Sequence, residues 1–273
     1  MTVGSTSALD MALRMFTRPG DVILSEEYTF ATAVETATPL GLSVIGVRMD
    51  EQGLISSSLD DILNTWDEAA RGTRKPVILY TVPSGQNPSG ATQSLERRRE
   101  LYHVAQQHDL YIFEDEPYYF LQMPSYVAGE EVAPPSSHEQ FLQSLVPSYL
   151  SMDTDGRVLR MDSFSKVIAP GLRVGWITAS EQIIDRYKQH AELSTQSPSG
   201  VSQLLLFKLV DESWGHKGYV DWLTHIRMEY TKRRNTLLQA CDKHLPKAVV
   251  SWVPPMAGMF VSAPSRPDTK ITC

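Results

Sequence analysis

The sequence predicts an α/β fold of three layers, α/β/α, around a mostly parallel sheet. Three observations carry this expectation. Short β-branched runs alternate with stretches of helical periodicity along most of the 273 residues, the order of a parallel sheet covered by helices. The run "PVILYTVP" at 76–83 is apolar almost throughout, as a strand buried on both faces must be; a half-solvated strand would alternate. Polar residues of several chemical kinds follow directly on these runs, and such sheets place their ligands beyond the carboxyl ends of the strands.

Taken in order, Ser5 or Thr6 can cap a helix running to about Thr17, with Ala8, Leu9, Ala12, Leu13 and Phe16 on one face and "RPGD" as its stop. "VIL" at 22–24 is a buried strand, 31–38 a helical stretch, and 44–47 a second strand. Ser58 is read as the cap of a helix reaching 65, and 76–83 as the next strand. A helix with a charged outer face covers 94–108, and "LYIFEDEPYY" is a strand ending in Glu114, Asp115 and Glu116. The Pro- and Ser-rich stretch 123–147 reads as an excursion over the surface. "RVLRMDSFSK" returns to a strand, 173–179 forms another, and helical patterns at 181–193, 199–211 and 219–241 complete the fold.

Composition narrows the class. With 42% hydrophobic and 21% charged residues, the chain can build one large domain, or a domain plus part of another. Its net charge of -7 argues against a nucleic-acid or acidic-membrane partner. No window approaches the roughly 18 apolar residues of a membrane span, and the first residues lack the basic and apolar regions of a secretory signal, so a cytoplasmic protein is expected. Cys241 and Cys273 suggest neither a disulfide framework nor a metal site.

The residues that follow the strands differ in chemistry. Asn87 sits in "YTVPSGQNPSG", Asp115 and Tyr118 in "EDEPYYF", and Ser163, Ser165 and Lys166 in "DSFSK", with Arg173 seven positions on. Singly, each has an ordinary reading: a turn asparagine, a solvated acid, a surface lysine. The helix start at Gly4, Ser5 and Thr6 can hold a phosphate, although serine at a helix start is common without one. Together they form a set that pyridoxal 5'-phosphate needs. Its aldehyde requires an amine, its ring nitrogen a carboxylate, and its phosphate several donors. Its ring oxygen O3' requires hydrogen-bond donors, which Asn87 and Tyr118 can supply.

Through "PGDVILSEE", "YTVPSGQNPSG", "FEDEPYYFLQ", "SYLSMDTDGRVLRMDSFSKVIAPGLRVGW" and "PPMAGMF", the chain resembles the fold-type I pyridoxal-phosphate aminotransferases of the aromatic, 2-aminoadipate and kynurenine group. The resemblance runs from Gly4 to Phe260. It implies that Lys166 forms the internal aldimine and moves the α-proton, and that Asp115 pairs with the pyridinium nitrogen. Asn87 and Tyr118 would bond O3', while Ser5, Thr6, Ser163, Ser165 and Arg173 would hold the phosphate. Phe30 stands where the family usually has a ring-stacking tyrosine; it can stack but lacks the hydroxyl. The implied activity is transamination of an aromatic or long-chain amino acid with a 2-oxo acid acceptor, by a homodimer.

The resemblance also implies a division into a large cofactor-binding domain over 1–243 and, over 244–273, only the start of a small C-terminal domain plus an unmatched tail. Family members carry an N-terminal arm, and a small-domain arginine that grips the substrate carboxylate; neither is matched here, and Arg266 in the tail is not given that role. The chain is therefore expected to be truncated at both ends. Two alternatives stay open: a catalytically impaired paralogue that keeps the cofactor fold, and a pyridoxal-phosphate lyase or synthase on the same scaffold.

Overall fold

The computed structural model describes residues 1–264. Arg266 and Cys273, singled out above, lie outside the described residues. In chain order the elements are α1 (Ser5–Phe16), β1 (Val22–Glu26), α2 (Ala31–Ala37), β2 (Ser43–Val47), the short strands β3 (Met49–Asp50) and β4 (Gly53–Leu54), α3 (Ser56–Asn64), α4 (Glu68–Arg71), β5 (Ile78–Thr81), α5 (Leu95–Gln107) and β6 (Tyr111–Asp115). Then follow α6 (His138–Gln143), α7 (Tyr149–Met152), β7 (Val158–Ser163), β8 (Gly175–Thr178), α8 (Glu181–Glu192), α9 (Gly200–Phe207) and α10 (Gly215–His244).

The main sheet of the described residues has the order β2-β1-β5-β6-β7-β8. Pairing is parallel up to β7, and β8 runs antiparallel to β7. Every residue of β1, β5 and β7 is buried, which is why their sequences do not alternate in polarity. Successive side chains still point to opposite faces, and each face has its own core. Ile23, Ile78 and Phe113 pack with Ala8, Leu9, Ala12 and Leu13 of α1. Their neighbours Leu24, Leu79 and Ile112 pack with Leu59 and Leu63 of α3 and Leu101 of α5. Each fully buried leucine contributes about 1.5–3 kcal/mol. The expected three-layer, mostly parallel architecture is the one present, and no described helix is long and apolar enough to cross a membrane.

Several local expectations are corrected. Ser94 is the N-cap of α5, accepting the Arg97 N–H at 3.2 Å. The caps assigned to Ser5 or Thr6 and to Ser58 are not there: Gly4 is the N-cap of α1 and Ile55 that of α3. Strand β8 starts at Gly175 because Arg173, at φ 50, ends a 3-10 turn over Pro170–Leu172 instead of extending. Thr2 exchanges backbone hydrogen bonds of 2.8 and 2.9 Å with Gly175, tying the N-terminal segment to the sheet beside that turn. The supposed surface excursion contains α6, whose Phe141 is fully buried. The helical pattern at 199–211 splits into α9 and a π-helical turn, Lys208–Trp214.

After α10 the chain folds back over the loops that follow β5 and β6. Arg234 of α10 donates to the carbonyls of Pro124 at 2.7 Å and Pro255 at 3.0 Å, and Met123 N–H reaches Met256 O at 2.7 Å. Gly85 makes this close return possible, since a Cβ there would lie 2.6 Å from the Ala257 backbone. The same return brings Phe260 to the carboxyl ends of the strands.

Candidate active site

The strand order sets the site. β5, β6 and β7 are adjacent and parallel, so the residues that follow them emerge side by side, facing the start of α1. Between them lies a cavity of about 220 Å³. The structure brings all ten sequence-predicted residues to its wall: Ser5 and Thr6 from α1, Phe30 from the N-cap of α2, Asn87 from the loop after β5, Asp115 and Tyr118 from β6 and its extension, Ser163, Ser165 and Lys166 from β7 and its turn, and Arg173. The loop holding Asn87 is fixed by Gln86, which accepts from Ser89 N–H at 2.9 Å and donates to Tyr28 O at 2.5 Å.

The triplet Glu114-Asp115-Glu116 shows how strand periodicity selects one acid. Glu114 turns to the far face and accepts N–H bonds from Tyr149 at 2.8 Å and Leu150 at 3.1 Å. Glu116 accepts from Ser84 at 3.0 Å and from the fully buried Arg98 at 3.2 Å. Asp115 alone of the three lines the cavity. Its Oδ2 accepts the Tyr80 hydroxyl at 2.8 Å, whereas Oδ1 is buried without a partner. Burial pushes the carboxyl up to about 7; the Tyr80 hydroxyl and the nearby Ser5 hydroxyl oppose the rise, and Glu116 and Asp162 add to it. A buried carboxylate with one bare oxygen and acids for charged neighbours is stabilised by any cationic N–H donor that reaches it.

The other end of the cavity is built for an anion. Ser163 Oγ donates to Ser165 Oγ at 2.8 Å and accepts the Ser165 N–H at 3.1 Å. Arg173 Nη1 donates to Ser165 Oγ at 2.9 Å and Pro170 O at 3.1 Å, and Nη2 to Val3 O at 3.3 Å. Arg173 has no carboxylate partner among the described residues. The free N–H groups of α1 start beside it, where the helix dipole favours negative charge. Gly4, at φ 87, leaves room for the guanidinium: a Cβ there would sit 2.4 Å from Nη2.

Lys166 lines the same cavity and is half-buried in the turn after β7. Tyr118, only 4% exposed, meets Phe260 edge-on at 5.9 Å. Burial, and then Asp115, push its phenol up to about 12, so near neutral pH it is a hydrogen-bond donor. The bare Oδ1, the Arg173 pocket beside Gly4 and a lysine on the wall of the same cavity fit the carboxylate, anion and amine needs of pyridoxal phosphate. Two contributors escaped the sequence reading. Tyr80 is signalled only by being the hydroxyl-bearing ring in an otherwise apolar run. Phe260 lies within a motif quoted above, but no sequence signal aims it at the cavity.

Fold and cavity define a class, and comparison with known proteins names it. Residues 1–270 match the aminotransferase class I and II family, to which the chain belongs. Within it, the chain is 54% identical over 262 residues to an aromatic amino acid aminotransferase of Schizosaccharomyces pombe, covering 96% of this chain and 55% of the relative. It is 39% identical over 264 residues to the mitochondrial kynurenine/alpha-aminoadipate aminotransferase of Bos taurus, covering 96% and 57%. The crystal structure of the aminotransferase Aro8 from Candida albicans superposes with a TM-score of 0.91 at 46% identity, covering 96% of this chain and 54% of that one. The chain thus spans about half the length of the curated relatives it matches.

Proposed function

We propose that the protein takes part in pyridoxal-phosphate-dependent transamination of an aromatic or long-chain amino acid, with a 2-oxo acid as acceptor. The observation that carries this is the buried, unpartnered Asp115 Oδ1 sharing one cavity with Lys166 and the Arg173 pocket. Bound there, the cofactor supplies an electron sink for negative charge at the amino acid's α-carbon.

Each residue's part follows from its place. Arg173, Ser163, Ser165, Ser5 and Thr6 bind the phosphate, with the α1 dipole behind them. Asp115 Oδ1 holds the proton on the ring nitrogen. Tyr118 and Asn87 donate to the ring oxygen, and Phe30 packs on the ring face. Lys166 Nζ would supply the amine for the cofactor's aldehyde, and as a free amine it would take the proton from the substrate's α-carbon and deliver it to the carbon that came from that aldehyde. The aromatic substrate is read from the name of the Schizosaccharomyces pombe relative, an aromatic amino acid aminotransferase.

A large domain over 1–243, the start of a second over 244–273, homodimeric assembly and a cytoplasmic location belong to the same proposal and rest on the sequence reading. The test uses this chain as it stands. Incubation with pyridoxal phosphate, borohydride reduction and peptide mass spectrometry should place the phosphopyridoxyl mass on Lys166, and Lys166→Ala should abolish it. A label on another lysine, or none, overturns the assignment. With labelling established, turnover of tyrosine, kynurenine or 2-aminoadipate with 2-oxoglutarate decides the reaction. Labelling without turnover assigns the chain to cofactor binding alone, and elimination or condensation products assign it to lyase or synthase chemistry.

A further inference from the structure

Asp115 has two oxygens with unlike surroundings, and Tyr80 makes the difference. Tyr80 lies on β5, where the parallel register pairs it with Phe113 of β6, so its ring stands on the same face as Phe113 and Asp115, two residues on. It is 1% exposed and packed in the core that α1 covers. We propose that Tyr80 is a positioning residue: its hydroxyl, donated to Oδ2, fixes the Asp115 carboxylate in an ionised form with Oδ1 turned free for the cofactor's ring N–H. The proposal rests on the cofactor reading above.

The choice of side chain is physically specific. A lysine or arginine at this position would also hold Asp115 ionised, but its charge would cancel the carboxylate's attraction for a pyridinium. A buried phenol donates one hydrogen bond and brings no net charge. Burial, and then Asp115 and Glu26, hold the Tyr80 phenol well above its ordinary range, so it stays a donor. The other groups that act on Asp115 are Ser5 from α1, Glu116 and Tyr118 from its own strand's extension, and Asp162 from β7. Lys166 shares the cavity.

The sign of the effect follows. Burial pushes the Asp115 carboxyl up to about 7, and the Tyr80 bond opposes that rise. Without that bond the ionised fraction falls at every pH below the displaced value.

The test is the dissociation constant of pyridoxal phosphate for wild type and Tyr80→Phe, read by fluorescence quenching from about pH 6 to pH 9. The variant is expected to bind about tenfold more weakly at the acid end, equivalent to about 1.4 kcal/mol, with the ratio falling towards one at pH 9. In an Asp115→Asn background the same Tyr80→Phe change should leave the ratio flat. A ratio that is flat with pH in the Asp115 protein, or one indistinguishable from unity, overturns the proposal while the cofactor reading stands. Failure of wild type to capture the cofactor on Lys166 sinks both. 3-Fluorotyrosine at position 80 is a stronger donor of nearly unchanged size that preserves the fold; it should displace the curve towards acid, and a displacement towards alkali refutes the proposal even if Tyr80→Phe does not fold.

Discussion

Replacing Gly4 by alanine puts one methyl group into the anion pocket. The backbone there has φ 87 and ψ 172, a region that is essentially glycine's, and holding a side chain in it costs about 1–3 kcal/mol. The new Cβ would also lie 2.4 Å from Arg173 Nη2, and ordinary contact requires about 3.5 Å, so the guanidinium must retreat by roughly 1 Å. Such a retreat breaks the 3.3 Å bond to Val3 O and disturbs the 2.9 Å bond to Ser165 Oγ. A charge-assisted hydrogen bond to the phosphate is worth about 1.5–3 kcal/mol, so affinity for pyridoxal phosphate should fall by roughly 10- to 100-fold. Calorimetry of the cofactor-free protein should show Tm lowered by about 2–4 °C for each kcal/mol of strain. In an Arg173→Ala background the clash is gone, so Gly4→Ala should still lower Tm yet have no further effect on affinity. Wild-type Tm together with wild-type affinity in Gly4→Ala refutes the reasoning. A lowered Tm with unchanged affinity refutes the part that places Arg173 on the phosphate.

Two further predictions concern the shell around the site. Arg98 faces Glu116 at 3.2 Å and Glu114 at 3.8 Å with all three side chains fully buried, so Arg98→Ala should cost about 3–5 kcal/mol by leaving two acids uncompensated. Burial raises Glu114 to about 7, above its unfolded value; stability from its protonated form is present at acid pH and lost as pH rises through about 7. The deficit of Arg98→Ala should therefore be larger at pH 8 than at pH 5.5, and equal deficits in chemical denaturation at both would contradict the assignment. Phe141 is fully buried beneath the Arg227 guanidinium, which lies 5.4 Å from its ring centre. Phe141→Ala should cost about 3–5 kcal/mol, and a loss below about 1 kcal/mol would mean that α6 is not part of the core.

The strands and the site residues were legible for one reason: in a parallel sheet, burial on both faces erases polarity from the strands and concentrates it where they end. Asp115, Ser163 and Lys166 stand out in "YIFEDEP" and "MDSFSK" because they are polar groups at the ends of apolar runs. What escaped was whatever depends on another segment. Gly4 caps α1 because Arg173, far along the chain, occupies the space where its Cβ would be; local capping rules favoured the serines beside it. Arg173 reads as a strand residue, and only the turn over Pro170–Leu172 gives it φ 50. Phe141 lies in a stretch whose prolines and serines resemble loop, yet one helical turn suffices to bury its ring. Tyr80 matched its strand pattern so well that its hydroxyl drew no notice.

The acid triplet links the fold to the chemistry. Three consecutive carboxylates enter the interior, and each must be compensated or become a liability. On the far face the debt is met within the chain: Arg98 lies between Glu114 and Glu116, and Arg160, opposite Glu114 in the ladder, is held by Asp162 in two 2.8 Å bonds and stacks 4.2 Å over Tyr119. On the near face no such partner is provided. The strongest charged neighbours of Asp115 are themselves acids, and one oxygen is bare. Arginines were evidently accommodated within a few ångströms, so the near face could have been neutralised in the same way. Leaving it unneutralised would favour a cationic N–H donor in the cavity, while the compensated acids behind keep the strand that carries Asp115 in place. The same strand alternation that sorts side chains into two cores thus separates a structural charge pair from a charge reserved for a ligand.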